Sequence, residues 1–149
     1  MAEQNVTAVH CPSSNMKLAC GGTLSFPPYR DAGVDVRIGT DGAASSGSGL
    51  NLLHEARLAS LVQRHDHWDS TLLPAQEIFK MATKGSQDWV AWDLDDIRMR
   101  PLGRSNNRHL ANLIYNGGEC LDVWVNGRAL RKDGVTLSLD EKNIIAELD

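Results

Sequence analysis

The sequence VDVRIGTDGAASSGSG occupies residues 34–49 and joins an apolar run to an acid that is followed by small residues. The segment at residues 34–40 predicts a strand that is apolar enough to be buried on both faces, as parallel strands are. Asp41 directly follows it. Functional groups of parallel α/β folds gather at the carboxyl ends of strands, so Asp41 is a candidate to bind a divalent metal or to accept a proton from a metal-bound water. The alternative is a turn or cap role, since Asp-Gly is common in turns.

The elements around this strand alternate in type. Strands are predicted at residues 6–10 and 34–40, and a turn-rich segment at residues 11–15. A short helix within residues 24–32, a longer helix at residues 50–64 and a third helix at residues 74–83 complete the order. Ser48 or Asn51 could cap the longer helix. This order predicts the α/β class with parallel strands.

The pattern changes after residue 84. Residues 88–96, DWVAWDLDD, predict a strand, and residues 121–134, LDVWVNGRALRKDG, predict two strands joined at Asn126-Gly127, a pair typical of hairpins. A last helix is predicted at about residues 139–148. The sequence therefore predicts an α/β unit at residues 1–84 and a mostly β unit at residues 85–149.

Composition limits the classes of function. The chain has 149 residues, 42% of them hydrophobic and 23% charged, which is typical of a globular protein. Its formal charge of −4 argues against nucleic-acid binding. No stretch approaches the roughly 18 consecutive apolar residues of a membrane span, and the N-terminus lacks the regions of a signal peptide. Cys11, Cys20 and Cys120 match no zinc spacing, so we expect reduced thiols in a cytoplasmic protein.

Three blocks of the sequence resemble the amidohydrolase superfamily. They are VHCPSSNMKLACG at residues 9–21, GVDVRIGTDGAASS at residues 33–46 and LNLLHEARLASLVQR at residues 50–64. The branch they resemble most contains the methylthioadenosine/S-adenosylhomocysteine deaminases and related chlorohydrolases. Residues 88–134 are similar to the C-terminal strands of that family.

The resemblance implies the C-terminal portion of a (β/α)8 metal-dependent hydrolase barrel plus part of its flanking β-sandwich. The strands at residues 6–10 and 34–40 would be the seventh and eighth barrel strands. Asp41 matches the aspartate that binds the single metal, zinc or iron, and shuttles a proton from the attacking water. His10, Ser14 and Asn15 match the motif that lines the substrate pocket, although a histidine at a strand end is as often structural as functional.

The implied activity is hydrolytic deamination of a purine nucleoside-like small molecule such as methylthioadenosine or S-adenosylhomocysteine. The other metal ligands of the family have no counterpart in this sequence. His65-Asp66-His67 follows a helix rather than a strand, which predicts a solvated loop rather than a metal site. The alternative function is therefore a non-catalytic remnant that self-associates or binds a partner. Two isolated barrel strands would expose apolar edges, and we expect a homo-oligomer.

Overall fold

A two-stranded parallel sheet lies at the centre of the first half of the chain. The computed structural model describes residues 1–46, 49–85, 87–104 and 107–148. Strand β1 (Thr7–His10) pairs with strand β2 (Asp35–Ile38), so that Thr7 lies opposite Asp35 and His10 lies opposite Ile38. The predicted α/β order with parallel strands is confirmed for this part of the chain.

The described residues form seven α-helices, of which α2, α4 and α5 pack against β2. In chain order the helices are α1 (Pro12–Leu18), α2 (Phe26–Asp31), α3 (Ala43–Ser46), α4 (Leu52–His67), α5 (Ala75–Thr83), α6 (Arg108–Asn116) and α7 (Glu141–Leu148). Helix α4 begins where the Asn51 side chain accepts the His54 N–H, which confirms one predicted cap. The other predicted cap, Ser48, lies outside the described residues. None of the helices in the described ranges has both the length and the apolar content needed to cross a bilayer.

The core lies between the parallel sheet and helices α4 and α5. Ala8, Val36 and Ile38 supply its sheet side, and the small residues Ala56 and Ala59 supply the face of α4. Both alanines are fully buried, which allows the helix to lie close to the strands. The remaining buried members of this cluster are Phe26, Leu73, Ile78, Met81 and Ile114.

A four-stranded antiparallel sheet forms the second half. Its strands, in spatial order, are β3 (Trp89–Trp92), β4 (Cys120–Val125), β5 (Arg128–Lys132) and β6 (Val135–Thr136). Asn126 and Gly127 join β4 to β5 with φ angles of 50° and 75°, the left-handed pair that a two-residue hairpin requires. The predicted hairpin is confirmed.

Three details of the prediction are wrong. Residues 11–15 are not a turn, because Pro12 begins helix α1 and the Ser13 N–H finds an acceptor on another helix. Strand β2 is not buried on both faces: Val36 and Ile38 are buried, whereas Arg37 between them is partly exposed. The second half also contains helix α6, which was not predicted because polar residues precede it. Ile114 of this helix belongs to the core of the first half.

Candidate functional site

Asp41 lies just beyond the carboxyl end of β2, three residues after Ile38. Its φ angle is 59°, in the left-handed region that Asp tolerates better than most residues. The Thr40 hydroxyl donates to the Asp41 carbonyl at 3.1 Å. The side chain is exposed, so its carboxylate is available to a ligand from outside this segment.

Hydrogen-bond donors surround the Asp41 carboxylate. Ser14 Oγ donates to Oδ2 at 2.7 Å, and the Gly42 N–H donates to Oδ1 at 2.7 Å. The Ser14 hydroxyl, followed by the Gly42 N–H and the Ser45 side chain, holds the pKa of Asp41 below its ordinary value. Asp41 is therefore negatively charged at neutral pH, which is the charge that a residue needs to bind a metal cation.

Helix α1 lies against the segment that carries Asp41. Lys17 Nζ donates to the Ala44 carbonyl at 2.9 Å, and the Ser14 hydroxyl reaches Asp41 one turn earlier in the same helix. These two bonds fix α1 to the segment after β2, one at Asp41 and the other in the first turn of α3.

Ser14 and Asn15 are neighbours in α1 but differ in their contacts. Ser14 is buried and touches Asp41, so two of the predicted site residues lie together. Asn15 is partly buried, and its backbone carbonyl accepts the N–H groups of Ala19 and Cys20 at the end of the helix. The contribution of both side chains to a substrate pocket stays a prediction.

His10 lies on the face of β1 that is turned towards the helices. It follows Ala8 at the two-residue period of a strand, and it is 2% exposed, whereas Val9 between them is 57% exposed. Within the described part of the chain, neither ring nitrogen has a hydrogen-bond partner. Burial lowers the pKa of His10, and the nearby Glu55 carboxylate opposes that shift. His10 thus interacts electrostatically with Glu55, and its contribution to a substrate pocket stays a prediction.

Glu55 is the charged residue that the sequence analysis did not connect to the site. It lies in the first turn of α4, is fully buried, and its Oε2 accepts the Ser13 N–H at 2.9 Å. The two residues are 42 positions apart, so no local pattern could have revealed this contact. Its only signal in the sequence is an acid on the apolar side of an amphipathic helix.

The described residues do not form a metal centre by themselves. No three His, Cys, Asp or Glu side chains within residues 1–46, 49–85, 87–104 and 107–148 come close enough to hold a metal ion. The prediction of a loop at residues 65–67 is wrong, because His65 and His67 belong to the last turn of α4. The His65 side chain is 88% exposed. Asp41 fits a hard or borderline cation as a single oxygen ligand, and catalytic zinc normally has three protein ligands.

Comparison with protein families and curated proteins gives consistent matches. Residues 1–94 match the model of the amidohydrolase family. The 5-methylthioadenosine/S-adenosylhomocysteine deaminase of Pyrococcus furiosus is 38% identical across 97% of this chain, and deaminase 1 of that name from Archaeoglobus fulgidus is 33% identical across 99%. The chain spans 38% of the length of each of these two relatives.

Two of the solved structures with a similar fold contain zinc. An adenosine deaminase from Xanthomonas campestris with bound zinc superimposes with a TM-score of 0.84 at 30% identity, across 98% of this chain and 36% of that one. An atrazine chlorohydrolase from Arthrobacter aurescens complexed with zinc gives a TM-score of 0.79 at 26% identity, with the same two coverages.

Proposed function

Because the chain belongs to the amidohydrolase family, we propose that it is the C-terminal part of a metal-dependent aminohydrolase. The reaction is hydrolytic deamination, in which water replaces an exocyclic amine with oxygen and ammonia leaves. The observation that carries the proposal is the Asp41 carboxylate at the carboxyl end of a parallel strand, held as an anion by Ser14 and Gly42.

The proposed architecture is the end of a (β/α)8 barrel followed by part of a β-sandwich. Strands β1 and β2 would be the seventh and eighth barrel strands, within a unit at residues 1–84. The antiparallel sheet of strands β3 to β6 would belong to the sandwich, within a unit at residues 85–149. The parallel pairing of β1 with β2 and a helical layer on one face of that pair support this assignment.

Asp41 would act as a metal ligand and as the group that takes a proton from the attacking water. A divalent metal, zinc or iron, would supply a lowered pKa to that water, so that it can attack as hydroxide. Ser14 would hold one carboxylate oxygen and leave lone pairs of Asp41 for the metal and the proton. The zinc in two similar structures supports this role for a metal.

The proposed substrate is a small, purine nucleoside-like molecule such as methylthioadenosine or S-adenosylhomocysteine. The names of the Pyrococcus and Archaeoglobus relatives support this choice. Ser14, Asn15 and, with the weakest geometric support, His10 are the candidate contacts. The residues that select among purines would lie mainly outside this segment, because only two strand ends contribute to the site here.

A second candidate function is a non-catalytic remnant that self-associates or binds a partner. The observation that favours it is the single carboxylate at the site, which cannot hold a catalytic metal by itself. The remnant is the function proposed for this chain as a separate molecule, whereas deamination is the function proposed for the longer parent protein.

Metal analysis of the 149-residue chain tests whether this segment is incomplete as an enzyme, which both candidates require. After dialysis against buffer without chelator, we expect less than about 0.1 equivalent of zinc or iron, because one carboxylate is a weak site. We also expect no deamination of methylthioadenosine by the chain alone. Stoichiometric metal together with turnover would contradict the proposal that this segment is only part of the enzyme.

Self-association is a separate prediction. In the described part of the chain, β1 and β2 form a sheet of only two strands, and Val6 and Val9 are 43% and 57% exposed. Open strand edges with apolar side chains favour pairing between chains. Sedimentation velocity at micromolar concentration should therefore give an oligomer, and a compact monomer would contradict the prediction.

A further inference from the structure

We propose that Glu55 is a positioning residue, which fixes the first turn of helix α1 and thereby orients the Asp41 carboxylate. The inference takes one element from the proposed function, the role of Asp41 as a metal ligand. The connection itself consists of contacts within this chain, and it does not require a metal or a substrate.

The first contact joins helix α4 to helix α1. Glu55 is fully buried, and a buried carboxylate is unfavourable unless polar groups donate to it. Its Oε2 accepts the Ser13 N–H at 2.9 Å. That N–H belongs to the first turn of α1, where backbone donors have no partner within the helix. A carboxylate at this point also interacts favourably with the helix dipole.

The second contact joins helix α1 to the site. Ser14 follows Ser13 in the same turn, and both side chains are buried, with exposures of 6% and 8%. Because the turn is held from one side by Glu55, the position of Ser14 Oγ is fixed on the other side. That hydroxyl donates to Asp41 Oδ2 at 2.7 Å.

The carboxylate has few other restraints. Asp41 is exposed and has the left-handed backbone conformation, and its side chain also accepts hydrogen bonds from the Gly42 N–H and the Ser45 side chain, which both follow it in sequence. Loss of the Ser14 bond would remove the donor that helix α1 supplies and would loosen the present rotamer of Asp41. Catalytic groups need placement within about 0.5 Å, so a small displacement of α1 would be sufficient to disturb the site.

His10 and Cys11 are ionisable groups that interact electrostatically with Glu55, and burial raises the pKa of the Cys11 thiol, which keeps it neutral. The His10 ring is buried on the same side of β1, and its pKa is lowered by burial. We therefore assign the anchoring of α1 to the Ser13 bond rather than to an ion pair with His10.

The test is NMR spectroscopy of the whole 149-residue chain with Glu55→Ala, Glu55→Gln and the control Ser60→Ala. Ser60 is matched because it is also fully buried in α4, but its hydroxyl bonds to the Leu73 carbonyl and to Tyr115 rather than to α1. Two quantities are measured: the hydrogen-exchange rate of the Gly42 amide, and the three-bond couplings that report χ1 of Asp41.

Glu55→Ala should accelerate exchange of the Gly42 amide by ~10-fold or more and average the Asp41 couplings over several rotamers. Glu55→Gln should give a smaller change, ~3-fold, because its amide oxygen still accepts the Ser13 N–H. Ser60→Ala should change the Gly42 rate by less than ~2-fold.

Equal effects of Glu55→Ala and Ser60→Ala on Gly42 and Asp41 would overturn the proposal, since Glu55 would then only stabilise the fold. If Glu55→Ala does not fold, the Gln variant decides: an unchanged Gly42 rate and unchanged Asp41 couplings would overturn the proposal. Neither readout depends on metal or turnover, so a failure here is distinguishable from a failure of the proposed deaminase function.

Discussion

Asp41→Asn is expected to lower kcat/KM by ~10³-fold in a hybrid enzyme, because the variant lacks both the ligand charge and the proton acceptor. The hybrid would carry this chain in place of the matching segment of the Pyrococcus furiosus deaminase, which aligns with 97% of it. The amide fills the same space and still accepts the Ser14 hydroxyl, so the fold should be preserved. Steady-state deamination of methylthioadenosine measures the loss.

The matched control for this experiment is Asp66→Asn. Asp66 lies in the last turn of α4, its side chain is 50% exposed, and it accepts a bond from Thr23. It should retain kcat/KM within ~2-fold, as surface substitutions usually do. Near-normal turnover by the Asp41→Asn hybrid would show that Asp41 is a turn residue only.

Ile78→Ala should lower the free energy of unfolding of the chain by about 3 kcal/mol, as removal of a fully buried aliphatic side chain usually does. Ile78 has no exposed surface and lies in the cluster formed by the parallel sheet, α4 and α5. The loss combines the hydrophobic transfer of the removed carbons with the cavity that they leave. Urea unfolding followed by tryptophan fluorescence measures it.

Leu61→Ala is the control for the core. Leu61 lies in α4 with 42% of its surface exposed, so its truncation should lower the free energy of unfolding by less than about 1 kcal/mol. If the two variants lost equal stability, the core would not lie where α4 and α5 meet the parallel sheet.

Local patterns in the sequence were sufficient for much of the fold. The apolar run that contains Val36 and Ile38 predicted β2, and Asn126-Gly127 predicted the hairpin, because positive φ at both turn residues is a local requirement. The spacing of apolar residues predicted α4 and α5. A short helix was predicted within residues 24–32, and the structure has it at Phe26–Asp31.

Contacts distant in sequence account for what the patterns missed. Helix α1 is short and rich in Ser and Asn, and it is stabilised by Glu55, which lies 42 residues from Ser13. Helix α6 follows a polar segment and is fixed by packing, with Tyr115 bonded to Ser60 across 55 residues. Burial on one face only of β2 depends on which elements cover the sheet, and sequence periodicity does not contain that information.

The candidate site was predictable only in part. Asp41 was selected from its place after a strand and from the family resemblance, and the bond from Ser14 agrees with both residues belonging to one site. The orientation of His10 was not predictable, because a resemblance assigns a residue to a motif but not to a face of its strand. The bond from the first turn of α1 to Glu55 connects α4 to the site, and no local motif contains that connection.

The most direct test of the central claim is the metal content of the purified hybrid, measured by mass spectrometry after dialysis. The account predicts about one equivalent of zinc or iron per chain in the hybrid with Asp41, and loss of most of that metal in the Asp41→Asn hybrid. The Asp66→Asn hybrid should keep its metal. Full retention of the metal in a folded Asp41→Asn hybrid would contradict the assignment of Asp41 as a metal ligand.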